Sequence, residues 1–267
     1  MKKTQKSFRK KALLSSLSML LVATVAVGSA TFAWFTSSTT AATEGLAVHT
    51  SKASKLEISS ATGTWGTHIN YATGDKLLLP TSSINGANWY SANADAATSF
   101  AASTYTSVTD TANYVYKEQL NVKNSADKSG AAVENVQIKM TWPTNDSGAD
   151  GYLRVALVEA AEKGNDKAFA SGATFKDKII ASAAEKYYPV KADGTVGTTD
   201  ADSITPEAGP ATMTAVVNVG ELAPQAAKYY NLYVWFEGQD NDCFDANAGE
   251  TIPDIKFEVT GTPKATT

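Results

Sequence analysis

The stretch YVYKEQLNV, residues 114–122, decides the fold class. Tyr114, Tyr116, Glu118, Leu120 and Val122 fall on one side of an extended chain. Val115, Lys117, Gln119 and Asn121 fall on the other. That is period two with one polar face, the signature of a strand rather than a helix.

The same rhythm recurs in both directions along the chain. In Val133–Trp142, Val136, Ile138 and Met140 alternate with Gln137, Lys139 and Thr141, and Trp142-Pro143 stops the run. Near the C-terminus Phe257 and Val259 alternate with Glu258 and Thr260 inside Ile255–Val259. Lys55–Ser59, Lys76–Leu79, Ala211–Val219 and Tyr229–Glu237 are further strand candidates, and the mostly apolar Tyr152–Glu159 is expected to be buried more deeply. Two segments break the pattern. KDKIIASAAEK, Lys176–Lys186, predicts a short edge helix, and Ala192–Gly209, rich in Asp, Thr, Gly and Pro, predicts a loop. Many short strands with long intervening loops predict an all-β, jelly-roll-like antiparallel β-sandwich carrying loop insertions and one short helix.

Composition agrees. Hydrophobic residues make up 43% of the 267 positions and charged residues only 19%, so the chain has material for a core and is poor in the charged faces of surface helices. Charge is unevenly placed. Six of the 23 basic residues and none of the 27 acidic ones lie before residue 34, so the net −4 is a +6 leader on a body near −10. Such a body does not attract nucleic acid or an anionic membrane. The single cysteine, Cys243, excludes an intramolecular disulfide framework.

The first 33 residues read as a secretory signal. Lys2 to Lys11 form a basic start, Ala12–Val27 an apolar middle, and Gly28-Ser29-Ala30-Thr31-Phe32-Ala33 a small-residue end. Cleavage after Ala33 leaves small residues where a signal peptidase reads them; Ala30, Ala41 and Ala42 meet the same requirement. The uncharged run is also long enough to span a bilayer if left uncleaved, so any membrane association is expected through the leader alone. The expected organisation is a signal peptide over 1–33, a flexible segment over 34–54, and one β-sandwich domain over 55–267.

A search for chemistry returns little. His49 and His68 are the only histidines, and no H-E-x-x-H, G-x-S-x-G or Walker pattern occurs. Gly194-Thr195-Val196-Gly197 lacks the strand and helix that a phosphate loop needs. The chain is therefore read as a non-enzyme. Its densest unusual stretch is WFEGQDNDCFDANAGE, Trp235–Glu250. Asp240, Asp242, Asp245, Asn247 and Glu250 offer clustered oxygens of the kind that hold calcium, although Phe244 occupies the fifth position, where an EF-hand needs an oxygen. The competing reading is a solvated acidic turn. Tyr229, Tyr230, Tyr233, Trp235 and Phe236 are either a sugar-binding row, if exposed, or core.

The leader end, GSATFAWFT over 28–36, resembles that of the TasA/camelysin family of secreted Gram-positive proteins. Leu56-Glu57-Ile58-Ser59 looks like that family's first mature strand, and Thr73-Gly74-Asp75-Lys76-Leu77 is similar to its Gly-Asp turn. The tract Val234–Asp240 with Cys243 looks like one in uncharacterised secreted clostridial proteins. The segments around 81–110 and 160–210 depart from the pattern. The resemblance implies a jelly roll that forms extracellular fibres of the biofilm matrix, processed by a signal peptidase. There the N-terminal strand of one subunit completes the sheet of the next, so the partners are further copies and other matrix proteins. Trp34, Phe35, Leu46 and Val48 would be the donor's apolar residues. A cell-surface binding module for glycan or host protein is the alternative, and a camelysin-like metallopeptidase a third reading that no metal-protease motif supports. The C-terminal sequence Gly261–Thr267 has no sortase-type tail, so covalent wall anchoring is not expected.

Overall fold

The computed structural model describes residues 47–50, 55–71, 77–92, 105–141, 149–181, 186–208, 214–240, 243, 252 and 255–264, all within the unit Glu44–Thr267. Thirteen strands are found among them: β1 (Ala47–Thr50), β2 (Leu56–Ser59), β3 (His68–Asn70), β4 (Tyr90–Ala92), β5 (Tyr105–Ser107), β6 (Val115–Asn124), β7 (Val133–Thr141), β8 (Leu153–Ala160), β9 (Ile179–Ala181), β10 (Glu207–Ala208), β11 (Thr214–Leu222), β12 (Ala227–Phe236) and β13 (Lys256–Pro263). They form a five-stranded sheet ordered β11-β7-β13-β1-β3, a six-stranded sheet ordered β10-β9-β8-β12-β6-β2, and a small β4-β5 ribbon.

The fold is the expected all-β antiparallel sandwich. Its long strands alternate between sheets along the chain, with β6, β8 and β12 in one and β7, β11 and β13 in the other. The orders β1-β13-β7-β11 and β6-β12-β8-β9 are those of a jelly roll. Two pairings depart from an antiparallel roll: β1 runs parallel to β13, with Ala47 opposite Lys256 and Thr50 opposite Val259, and the two-residue β10 runs parallel to β9.

Between the sheets, Leu120, Val122, Val136, Ile138, Met140, Val155, Leu232, Val234, Phe236 and Phe257 form the main core. A second core lies on the other face of the six-stranded sheet. There Val115, Ala156, Val158, Tyr233 and Trp235 are covered by Trp89, Phe175, Ile179, Tyr187 and Ile204 from the intervening segments. Trp89 packs edge-on against Trp235 at 5.4 Å between ring centroids and against Phe175 at 5.8 Å. Aromatic pairs of this geometry add about 0.5–1.5 kcal/mol beyond the area they bury.

The second layer also covers polar residues of β6: Gln119 and Asn121 are buried. The Gln119 amide donates to Glu162 O at 3.0 Å and accepts from Gly164 N at 2.9 Å, so loop backbone satisfies it. Two expectations are corrected. The described part of Lys176–Lys186, residues 176–181, is not an α-helix; residues 182–185 lie outside the described residues. A 3-10 turn over Lys176–Lys178 leads into β9, whose Ile179, Ile180 and Ala181 are all buried, and strand pairing with β8 overrides the local helical pattern. Leu77–Pro80 contains no strand; Leu78 is buried while Leu77 and Leu79 are exposed. Ala192–Gly209 is largely loop, as expected, with a 3-10 turn at Asp200–Asp202 and the two-residue β10.

The covering layer is anchored at Gly86. Its φ is +71°, and an added Cβ would lie 2.5 Å from the Phe175 ring. Its N–H donates to Ser83 Oγ at 2.9 Å and its carbonyl accepts from Trp89 Nε1 at 2.9 Å. Gly86→Ala combines backbone strain with overpacking, and is expected to lower stability by about 2–4 kcal/mol. Urea unfolding of the variant measures this. An unchanged midpoint would mean that the 81–92 segment is not held on the sheet.

Candidate functional site

Two places concentrate unusual features: the seat of β1 and the buried end of β12. Among the described residues, β1 is the only strand contributed by residues 34–54. It lies between two partners, parallel to β13 and antiparallel to β3, with Val48 opposite Phe257 on one side and Ile69 on the other. The backbone of His49 is opposite Glu258 and His68. Of the residues expected to carry assembly, Val48 is thus placed in the sheet of its own chain. Trp34, Phe35 and Leu46, together with Ala33 at the expected cleavage point, lie outside the described residues.

The end of β12 carries buried charge. Arg154 is 1% exposed, the second residue of the apolar strand β8, opposite Trp235 in the β8–β12 register. Its guanidinium pairs with the Asp240 carboxylate, donates to Gly151 O at 2.8 Å and to Leu153 O at 3.1 Å, and lies 5.1 Å from the centre of the Tyr187 ring. Next to it Glu237 is fully buried. Its carboxylate accepts from Trp235 Nε1 at 3.0 Å and from Gln239 N at 3.1 Å. Burial pushes the Glu237 carboxyl above its ordinary range, against the pull of Ser82, Trp235 and Arg154. Burial, then the Glu237 charge, also raises the Tyr187 phenol.

Backbone bonds close this end of the sheet. Thr81 N donates to Phe236 O at 2.9 Å, Gly238 N to Thr81 O at 2.9 Å, and Glu237 N to Tyr152 O at 2.8 Å. The cluster therefore ties together β8, β12, the 81–90 segment and the loop at Tyr187. One guanidinium thus faces two carboxylates in a dry site. Such a site holds segments together.

The acidic stretch is only partly placed. Asp240 is 8% exposed and committed to Arg154, so an ion at this turn has to compete with a guanidinium for that ligand. Asp242, Asp245, Asn247 and Glu250 lie outside the described residues. Among the described residues no three His, Cys, Asp or Glu side chains are grouped to hold a metal. Cys243 is buried. The aromatic row is core: Tyr230, Tyr233, Trp235 and Phe236 are all buried, split between the two layers by strand alternation, and Tyr229 is half-buried. Arg154 and Glu237 escaped the sequence reading. The signal for Arg154 was present, as a lone charge inside YLRVALVEA.

No known family model matches the chain, and no curated protein is similar enough to count as a relative.

The ion pair sets two outcomes. Arg154→Met leaves Asp240 and Glu237 buried without a counter-charge and is expected to cost about 3–5 kcal/mol at neutral pH. Because Glu237 has a raised folded pKa, protonation favours the folded state. Its ionised form costs stability above the folded value, and that cost is relieved as pH falls towards the unfolded value of 4.5. The Arg154→Met deficit is therefore expected to shrink between pH 7 and pH 5, and Asp240→Asn added to it to recover part of the loss. Equal deficits at both pH values, by chemical denaturation, would contradict this charge assignment.

Proposed function

We propose that this protein is an exported structural subunit of extracellular fibres, at the cell surface or in a biofilm matrix. Assembly occurs when the N-terminal segment of one copy supplies β1 to the sheet of the next. The seat of β1 carries the reading. A four-residue strand from the N-terminal segment fills the position between β13 and β3, and is joined to β2 by only five residues, 51–55. Withdrawing it leaves two strands each with an open hydrogen-bonding edge, the situation that strand addition resolves.

Exchange between copies is favoured by its symmetry. A β1 from a neighbour makes the same backbone bonds as the chain's own β1, so strand exchange costs little in native contacts. An exchange that does not close on itself builds a filament rather than a dimer. The basic, apolar and small-residue parts of residues 1–33 support export, and cleavage at Ala33 would free the uncharged segment that begins at Trp34. The TasA/camelysin-like leader favours the same reading.

The test uses residues 34–267 with a removable N-terminal block, followed by light scattering and negative-stain electron microscopy. Filaments are expected only after unblocking. A form lacking 34–50 is expected to stay folded and unpolymerised, and to gain thermal stability when a peptide of residues 44–52 is added. A monomer that persists after unblocking, or filaments from the shortened form, would refute strand donation.

A further inference from the structure

A pocket of about 310 Å³ opens on the outer face of the six-stranded sheet, beside the second core and in the sheet opposite β1. It lies over the cross-strand pair Lys117 and Tyr233. Thr111 of a 3-10 turn and Asn165 and Asp166 of the turn after β8 form walls around it, and Glu118, Asn231 and Leu232 complete the lining. The Glu118 carboxylate is already engaged, accepting from Ala61 N at 3.3 Å and Gln119 N at 3.0 Å. Its volume is at the lower end of small-molecule sites, about 300–1,000 Å³, and suits one sugar-sized molecule.

The charges in this pocket are not used up internally. Lys117 is half-buried, and burial, partly offset by the Asp166 charge, lowers its pKa. Among the described residues neither Lys117 nor Asp166 has an ion-pair or hydrogen-bond partner in the protein, although the two feel each other's charge. Asp166 is held at φ +49°, a conformation that Asp and Asn tolerate better than most residues. Tyr233 is only 9% exposed, so it offers the pocket an edge rather than a stacking face.

Each ligand class can be weighed against this set. An aliphatic or aromatic ligand finds only Leu232 and the edge of Tyr233 among six polar or charged residues. A phosphate or sulfate meets Lys117 but is opposed by Asp166. A neutral sugar satisfies Asp166, Asn165 and Thr111 through its hydroxyls, and leaves the partly desolvated Lys117 without a counter-charge. A hydroxyl-rich ring bearing one carboxylate satisfies all four. We propose that this pocket binds a uronic-acid residue, with its carboxylate on Lys117 and its hydroxyls on Asp166, Asn165 and Thr111. The free sugar and the end of an acidic polysaccharide present the same chemistry. The proposal does not depend on the assembly reading.

The test is calorimetric titration of the purified full chain with glucuronate, glucose, glycine and a galacturonate oligomer. Glucuronate is expected to bind saturably, and at least about tenfold more tightly than glucose, the size of one charge-assisted hydrogen bond. Lys117→Gln and Asp166→Asn are each expected to weaken it about tenfold at an unchanged melting temperature. Tighter binding of the oligomer than of the monosaccharide identifies a chain end as the natural ligand, and equal binding identifies the free sugar. No saturable binding of glucuronate, equal binding of glucose, tighter binding of glycine, or variants that bind as well as the parent would overturn the proposal.

Discussion

A strand sends alternate side chains to opposite faces, and β12 has to bury both. Leu232, Val234 and Phe236 go to the inter-sheet core, while Tyr233 and Trp235 go to the outer one. Everything unusual about the molecule follows from that requirement. A two-sheet sandwich normally leaves the outer face of each sheet to water. Here the outer face of the six-stranded sheet is apolar over β8 and β12, so Trp89, Phe175, Tyr187 and Ile204 of the intervening segments are packed onto it. Those long loops are thus part of the core.

Covering the second face brings polar groups inside with it. The outer positions of β6 and the end of β8 keep Gln119, Asn121 and Arg154, which an exposed sheet would have solvated. Each has found partners in the layer above or beside it: loop backbone for Gln119, Ser60 O for Asn121 at 3.0 Å, and Asp240 with two carbonyls for Arg154. Such groups add little net stability when paired and cost much when orphaned. They also discriminate: the turn after β8 docked one residue out of register would take Glu162 O and Gly164 N away from Gln119.

The fold was legible where one face of a strand meets the core and the other does not, as in β7 and β13. It was equally legible in β8, whose nearly continuous apolar run reports burial on both sides. It was misread where tertiary contacts outweigh local pattern. The burial of the polar residues of β6 had no signal, because period two shows which residues share a face, and not what covers it. Ile179, Ile180 and Ala181 sit in a helical pattern and form a strand because β8 offers them an edge. The three-residue strands β3, β4 and β5 are too short to have any period. Of the site, Asp240 was singled out for its oxygens, yet its role is set by an arginine 86 positions away in sequence. Lys117 and Asp166 carry no local signal at all; only the folding of the post-β8 turn over β6 brings them together.

The parallel pairing of β1 with β13 has a mechanical side. These are the first and last described strands of the domain, they are neighbours, and they point the same way. Tension between the two ends of the domain drags β1 and β13 in opposite directions along their common axis. Their hydrogen bonds are then loaded together, in shear, and none can be peeled open ahead of the others. An antiparallel pair at the same place would be pulled apart from one end like a zipper. The parallel pair between the first and last described strands thus lies where a pulled domain carries the load.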